Sequence, residues 1–404
     1  MLAFPDYFSL DIMDSTTFPG IPAPFWFVEL FKGIGFFLHL IPMHLWFAGL
    51  PLAILALLFG GPQAKRYSRR MFGQMPVFLA LGVNFAIVPL LFLQTTYYKS
   101  FYTATILTAW FWLAIIPLFL LAYYGVYLCS FSIKKYFAAI DGENVKKDGK
   151  QNPAAPENNV KPGKFRTVLV GLGAWVCLAV IGVLIAHALV LMGRPAVWDT
   201  IWEQTQIGGA VTGLGNHFGN RELWLRLGGM FGLALLTTGF WAVLDSHLFL
   251  KGTGEKEDAY RKWTISYAAR ISWIGLIVSV STFGYYFWFL DGNWNGGMTF
   301  LYQFPWYLFP ATVIFLPFFL VAFLGRSNRI SRPLFLSGLV LGEVGLLGSF
   351  VITRQLIQNA EVGRFLQVEL LPISVQWSPL IAFLVVFVLG ACTIAWIVRQ
   401  IGKL

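Results

Sequence analysis

Long apolar runs, broken by short charged or Pro/Gly-rich joints, set the pattern of the chain. Crossing a hydrocarbon core of about 30 Å takes about 20 apolar residues per helix. Nine runs near that length can be drawn: Gly33 to Leu58, Met75 to Leu93, Thr103 to Ser132, Val168 to Met192, Leu223 to Leu250, Ile271 to Leu290, Leu301 to Leu324, Pro333 to Ile352 and Leu380 to Val398. They are continuous rather than alternating, and lipid offers no partner to an open backbone N–H or C=O, so each predicts a helix rather than a strand. The expected fold is all-α, a polytopic transmembrane bundle of about nine helices. A polar stretch from Asp141 to Gly163, DGENVKKDGKQNPAAPENNVKPG, reads as a linker between three helices at 33–132 and six at 168–398, all within one membrane domain over 1–404. The Gly-rich segment from Ile207 to Asn220, IGGAVTGLGNHFGN, predicts a loop. It follows no strand and carries no lysine, so it is not a phosphate-binding loop.

Composition makes the membrane reading firm, because 57% hydrophobic and 12% charged residues do not describe a water-soluble globule of 404 residues. Lys and Arg then orient the bundle. The joints after the first, third, fifth and seventh runs and the C-terminal segment hold 4, 8, 5, 3 and 2 of the 29, and the opposite side holds seven. By the positive-inside rule the N-terminus is outside and the C-terminus inside. The net charge of +10 is therefore topological, suited to anionic membrane lipids and not to nucleic acid. No Lys or Arg precedes Lys32, so the N-terminal stretch reads as an outer segment rather than a cleaved signal peptide. Cys129, Cys177 and Cys392 fall singly in apolar runs, without the spacing of a c-type haem attachment, a metal site or an iron–sulfur cluster.

Polar residues at membrane depth are the candidates for function. Two of the five histidines lie in GFFLHLIPMHLW: His39 and His44 are five apart, about 140° around a helix, so they do not share a face or hold one metal together. His39 lies about six residues from the outer end of the first run, His187 about five from that of the fourth and Met230 about seven from that of the fifth. This common layer matters because imidazole and thioether are the axial ligands of b-type haem, which helical bundles hold between inward faces. Each also has an ordinary reading, since membrane histidines make interhelical hydrogen bonds and methionines fill apolar gaps. His44, His217 and His247 are further candidates, His44 as a packing or hydrogen-bonding residue. Glu343, midway along GLVLGEVGLLGSF, must be paired, protonated or near water, and is the candidate for proton transfer beside a structural hydrogen bond. Arg354, about three turns on, suits a haem propionate, an anionic head group or the membrane interface. No catalytic residue is assigned.

The order of these features resembles subunit I of the cytochrome bd quinol oxidases, distantly and over most of the chain. HLIPMHLWFAGLPLAILAL resembles the first, histidine-bearing helix of that family and places His39 at its haem ligand. LALGVNFAIVPLLFLQTTYYKSFYTATILTAWFWLAIIPLFLLAYYGVYL resembles the second and third helices. EVGLLGSFVITRQLIQ resembles the segment ending in Gly-Arg-Gln-Pro-Trp, with Arg354 and Gln355 at Arg-Gln and the Pro-Trp missing. The departures are as informative. The haem-ligating histidine that opens the family's fifth helix falls on Met230, no acid occurs between Glu29 and Asp141 or after Glu369, and Leu301 to Leu324 contains no Met. The large quinol-binding loop shrinks to DGNWNGGMTF, Asp291 to Phe300. The resemblance thus implies a bd-like, multi-pass subunit of a respiratory electron-transfer complex in the cytoplasmic (inner) membrane of a bacterium or archaeon, not itself an oxygen reductase. It implies a haem b held by His39 with Met230 or His187 opposite, quinol as a substrate, and partner redox subunits, including a cytochrome on the outer face. A haem-free anchor for redox subunits and a proton- or ion-conducting protein using Glu343 are the competing readings.

Overall fold

The computed structural model describes residues 20–147, 164–250, 252, 254–293 and 332–401, and these form a bundle of helices without a strand. The helices are α1 (Phe25–His44), α2 (Leu50–Phe59), α3 (Pro62–Thr96), α4 (Tyr98–Leu107), α5 (Ala109–Lys147), α6 (Lys164–Met192), α7 (Trp198–Thr205), α8 (Arg221–Leu244), α9 (Glu255–Asn293), α10 (Arg332–Val362) and α11 (Trp377–Ile401). Among the described residues seven helical stretches are long and apolar enough to cross a membrane, the first being α1 and α2 taken together. The seventh predicted run, Leu301 to Leu324, lies outside the described residues, as does the linker beyond Lys147.

The runs mark the apolar part of each helix, and the helices extend past them where charged residues remain good helix formers. α3 begins at Pro62, thirteen residues before its run, and takes in Lys65, Arg66, Arg69 and Arg70. The third run contains a break at Thr108, whose φ of −115° separates α4 from α5. Two helices end in π turns, Leu45–Gly49 after α1 and Asp245–Phe249 after α8. The first turn leaves the Phe47 carbonyl open to the indole N–H of Trp175, 2.9 Å away.

α1, α2 and α8 occupy the centre, whereas α5 and α6 present exposed apolar side chains such as Ile116, Leu120, Leu169 and Leu172, as a lipid-facing surface requires. α8 and α9 are the most closely joined pair, and small residues permit it. A Cβ on Gly232 would stand 2.3 Å from Ser279 Oγ, and one on Gly275 2.6 Å from the Gly232 carbonyl oxygen. Polar ties fix the two ends. At one, Asp245 receives Arg70 Nε at 2.5 Å, Arg70 Nη2 at 2.8 Å and Gln74 Nε2 at 2.6 Å. At the other, Ile21 ahead of α1 pairs with the strand-like segment at Ile373 ahead of α11, with Ile21 N donating to the Pro372 carbonyl at 2.9 Å. The Gly-rich loop folds over the α4–α5 break, where Trp110 N donates to Gly213 O at 3.1 Å and Gly215 N to Leu107 O at 2.9 Å. Gly213 takes φ +73°, and a Cβ on Gly215 would meet Leu107 O at 2.7 Å, so glycine is required at both.

Candidate functional site

One face each of α1, α6, α8, α9 and α10 surrounds a cavity of about 730 Å³, within the range of cofactor and ligand pockets. Helical spacing selects the lining. Phe36, His39 and Met43 on α1 and Arg226, Met230 and Leu233 on α8 recur every three or four residues, as does the Leu346, Phe350, Arg354, Ile357, Glu361 series of α10. Ile185 on α6 and Val280 on α9 line the cavity and are also exposed, so its wall includes side chains of the lipid-facing surface.

His39, Met230 and Arg354, read from the sequence as cofactor candidates, line this one cavity. His39 Nδ1 lies 2.7 Å from the Gly82 carbonyl oxygen, which can only accept, so Nδ1 carries the proton and Nε2 keeps its lone pair. Such a bond to the backbone orients a ligating imidazole and raises its basicity. Gly82 is needed for that approach. A Cβ there would meet the Trp46 ring at 2.2 Å, and Trp46 packs edge-on against His39 with centroids 5.9 Å apart.

Arg354 lies with its guanidinium 4.5 Å from the centroid of the Phe36 ring and makes no hydrogen bond or ion pair to a described residue. One turn on, Gln358 lines the cavity with both amide atoms buried and unpartnered. An unpaired cation and an orphaned amide in an apolar chamber are complementary to an anionic, hydrogen-bonding group. Beyond them the cavity ends in a charge cluster absent from the sequence reading. Arg226 Nη2 donates to both Glu361 oxygens at 2.9 and 3.0 Å and its Nε to Tyr286 Oη at 3.1 Å, while Glu222 receives both Arg226 and Arg194. The i, i+4 spacing of Glu222 and Arg226 was the available signal; their partners come from distant helices.

The remaining candidates lie elsewhere. His187 is absent from the cavity wall; its Nε2 accepts the His217 backbone N–H at 2.8 Å, and its ring stacks on Phe218 at 4.3 Å. Burial first, then the Arg194 guanidinium, push the His217 imidazole below its ordinary value. His247 Nδ1 lies 2.9 Å from the Val243 carbonyl oxygen in the π turn at the Arg70 end. His44 turns away from the Gly82 side toward α8, with Nδ1 2.8 Å from Thr237 Oγ1. Thr237 Oγ1 donates in turn to Glu343 Oε1 at 2.6 Å. Among the described residues no three His, Cys, Asp or Glu side chains gather as a metal-binding set.

Comparison with protein-family models, with curated proteins and with solved structures returned no match.

Proposed function

We propose that this chain is a bd-like membrane subunit of a respiratory electron-transfer complex that holds one b-type haem in the central cavity. The carrying observation is His39, an imidazole on the cavity wall whose Nδ1–H is committed to the Gly82 carbonyl while Nε2 keeps a lone pair. The residues present fit the group. His39 would hold it through a ring nitrogen and Met230 through its thioether, and Arg354 with Gln358 would answer the propionates. When bound, the haem supplies one-electron transfer; the protein supplies ligands, position and local field. Apolar walls from Leu233, Phe283 and Phe350 exclude water, and a quinol would enter from the bilayer past Ile185 and Val280, the exposed members of the wall.

Nine crossings, an outside N-terminus and an inside C-terminus belong to the same proposal, supported by the distribution of Lys and Arg. They place the Glu361 end outside, facing a partner cytochrome, and the Arg70 end inside. The absence of carboxylates from the third and ninth runs supports electron transfer without oxygen reduction. The test is a visible spectrum of the purified, full-length chain, oxidised and dithionite-reduced. Sharp reduced bands of a b-type haem are expected. A preparation without haem bands after expression with haem supplied would overturn the reading and leave the anchor.

A further inference from the structure

We propose that His44, Thr237 and Glu343 form a proton-uptake site, in which a proton entering at the His44 imidazole is delivered through the Thr237 hydroxyl to the Glu343 carboxylate. The three side chains come from α1, α8 and α10 and are 0%, 0% and 3% exposed. The bond lengths, 2.8 Å from His44 Nδ1 to Thr237 Oγ1 and 2.6 Å from Thr237 Oγ1 to Glu343 Oε1, make one continuous chain.

The chain has a direction. With Glu343 ionised, the state that precedes proton uptake, the carboxylate only accepts, so the single hydroxyl hydrogen of Thr237 goes to Glu343 and the hydroxyl oxygen accepts Nδ1–H from His44. His44 Nε2 is thereby left with a lone pair, and it is fully buried with no hydrogen-bond partner. That orphaned lone pair is the second observation pointing to a ligand, and the ligand we assign to it is a proton. Thr237 is committed to this chain, unlike its neighbour: Thr238 donates to the Ala234 carbonyl one turn back at 2.7 Å, as helical threonines commonly do. Besides Glu343, the titratable group near His44 is His39, five residues back on α1 and turned toward Gly82. No Asp, Lys or Arg of α1, α3, α8 or α10 pairs with any member of the chain among the described residues.

The step balances without an oxidant or reductant. A water-borne proton bonds to Nε2, the Nδ1 proton moves to Thr237 Oγ1, and the original Thr237 proton moves to Glu343 Oε1. The product has a neutral His44 protonated on Nε2, with Thr237 donating to Nδ1 and the Glu343 acid donating to Thr237. One proton enters and one buried negative charge disappears. Met43, Leu236 and Leu346, which line the cavity, are neighbours of His44, Thr237 and Glu343 along their helices, so the charge is removed beside the cavity end remote from Glu361. The site stands whether or not haem fills the cavity.

pH-jump infrared difference spectroscopy on the full chain in lipid nanodiscs tests this, on haem-containing and haem-free preparations alike. Lowering the pH should produce a deuterium-sensitive carboxylic C=O band that is missing in Glu343→Gln. In His44→Phe and Thr237→Val the band should be lost or form at least about tenfold more slowly, and Thr237→Ser should restore it. Should His44→Phe fail to fold, the Thr237→Val and Thr237→Ser pair reads the same relay. The proposal is overturned if no Glu343-dependent band appears in the wild type, or if the band forms at the wild-type rate and amplitude in Thr237→Val.

Discussion

His39 and His44 are separated by little more than one helical turn, yet each finds a different neighbour, His39 the Gly82 carbonyl on α3 and His44 the Thr237 hydroxyl on α8. The environments set different jobs. Around His39 the ring is half-buried and borders open volume, so Nε2 can meet a metal; His44 is fully buried and off the cavity wall, with Nε2 unpartnered among the described residues. His39→Ala is therefore expected to lower the haem-to-protein ratio about tenfold or more, since even loss of a residue behind a ligand weakens metal binding by about 10–100-fold. His44→Phe should leave the haem content in place. Pyridine haemochromogen assays on the two purified variants decide it, and equal haem in His39→Ala and wild type would sink the ligand assignment. Here the sequence is readable up to a point. Depth placed His39, His187 and Met230 in one layer, yet only His39 and Met230, with Arg354, line the cavity; the tautomer of His39 depends on a carbonyl 43 residues away, and the orphaned Gln358 amide is recognised only when its surroundings are known.

Helices follow from apolar runs because lipid demands internal backbone hydrogen bonds, and their existence was accordingly plain in the sequence. Their irregularities were not. The π turns at Leu45–Gly49 and Asp245–Phe249 and the break at Thr108 each sit inside one of the drawn runs, where Pro42, Pro51 and the polar Asp245 to His247 hint at irregularity without fixing its form. The α8–α9 contact lies between these cases: glycines and serines at 228, 229, 232, 239, 272, 275 and 279 are visible as small residues, but only their meeting shows which helices they join. Gly232 is the critical one, with Ser279 N 2.6 Å and Gly275 O 2.7 Å from where a Cβ would be. Both are backbone atoms and cannot rotate away. Gly232→Leu should part α8 from α9 and cost about 1–3 kcal/mol, as overpacking does. Gly173→Ala on α6, where the added carbon meets nothing within 4 Å, should gain up to about 1 kcal/mol of helix propensity. Thermal unfolding of both variants in one detergent checks the ordering, and an unchanged midpoint for Gly232→Leu would show that the two helices are not locked there.

For the whole molecule, orientation relative to the two sides of the membrane governs what the cavity can serve. The charge cluster of Arg194, Glu222, Arg226 and Glu361 closes one end, and the basic joint containing Arg66, Arg69 and Arg70 lies at the other, tied to α8 through Asp245. The positive-inside rule counts Lys and Arg in short joints, and the joint at 65–70 with its four cations belongs inside by that count. The same frame puts the loop from Ile207 to Asn220 outside. A small epitope inserted between Gly208 and Gly209, where both residues are exposed and have open space around them, should then be labelled on intact spheroplasts. Gly213 is the worse choice for insertion, because its carbonyl holds Trp110 N and its Cβ position is 2.9 Å from the Ala109 Cβ. A reporter fused after Lys403 should be reached only once the membrane is permeabilised. If the epitope is hidden and the fusion labelled, the cavity's charged end faces inward, and a partner cytochrome on the outer side could not be the recipient of its electrons.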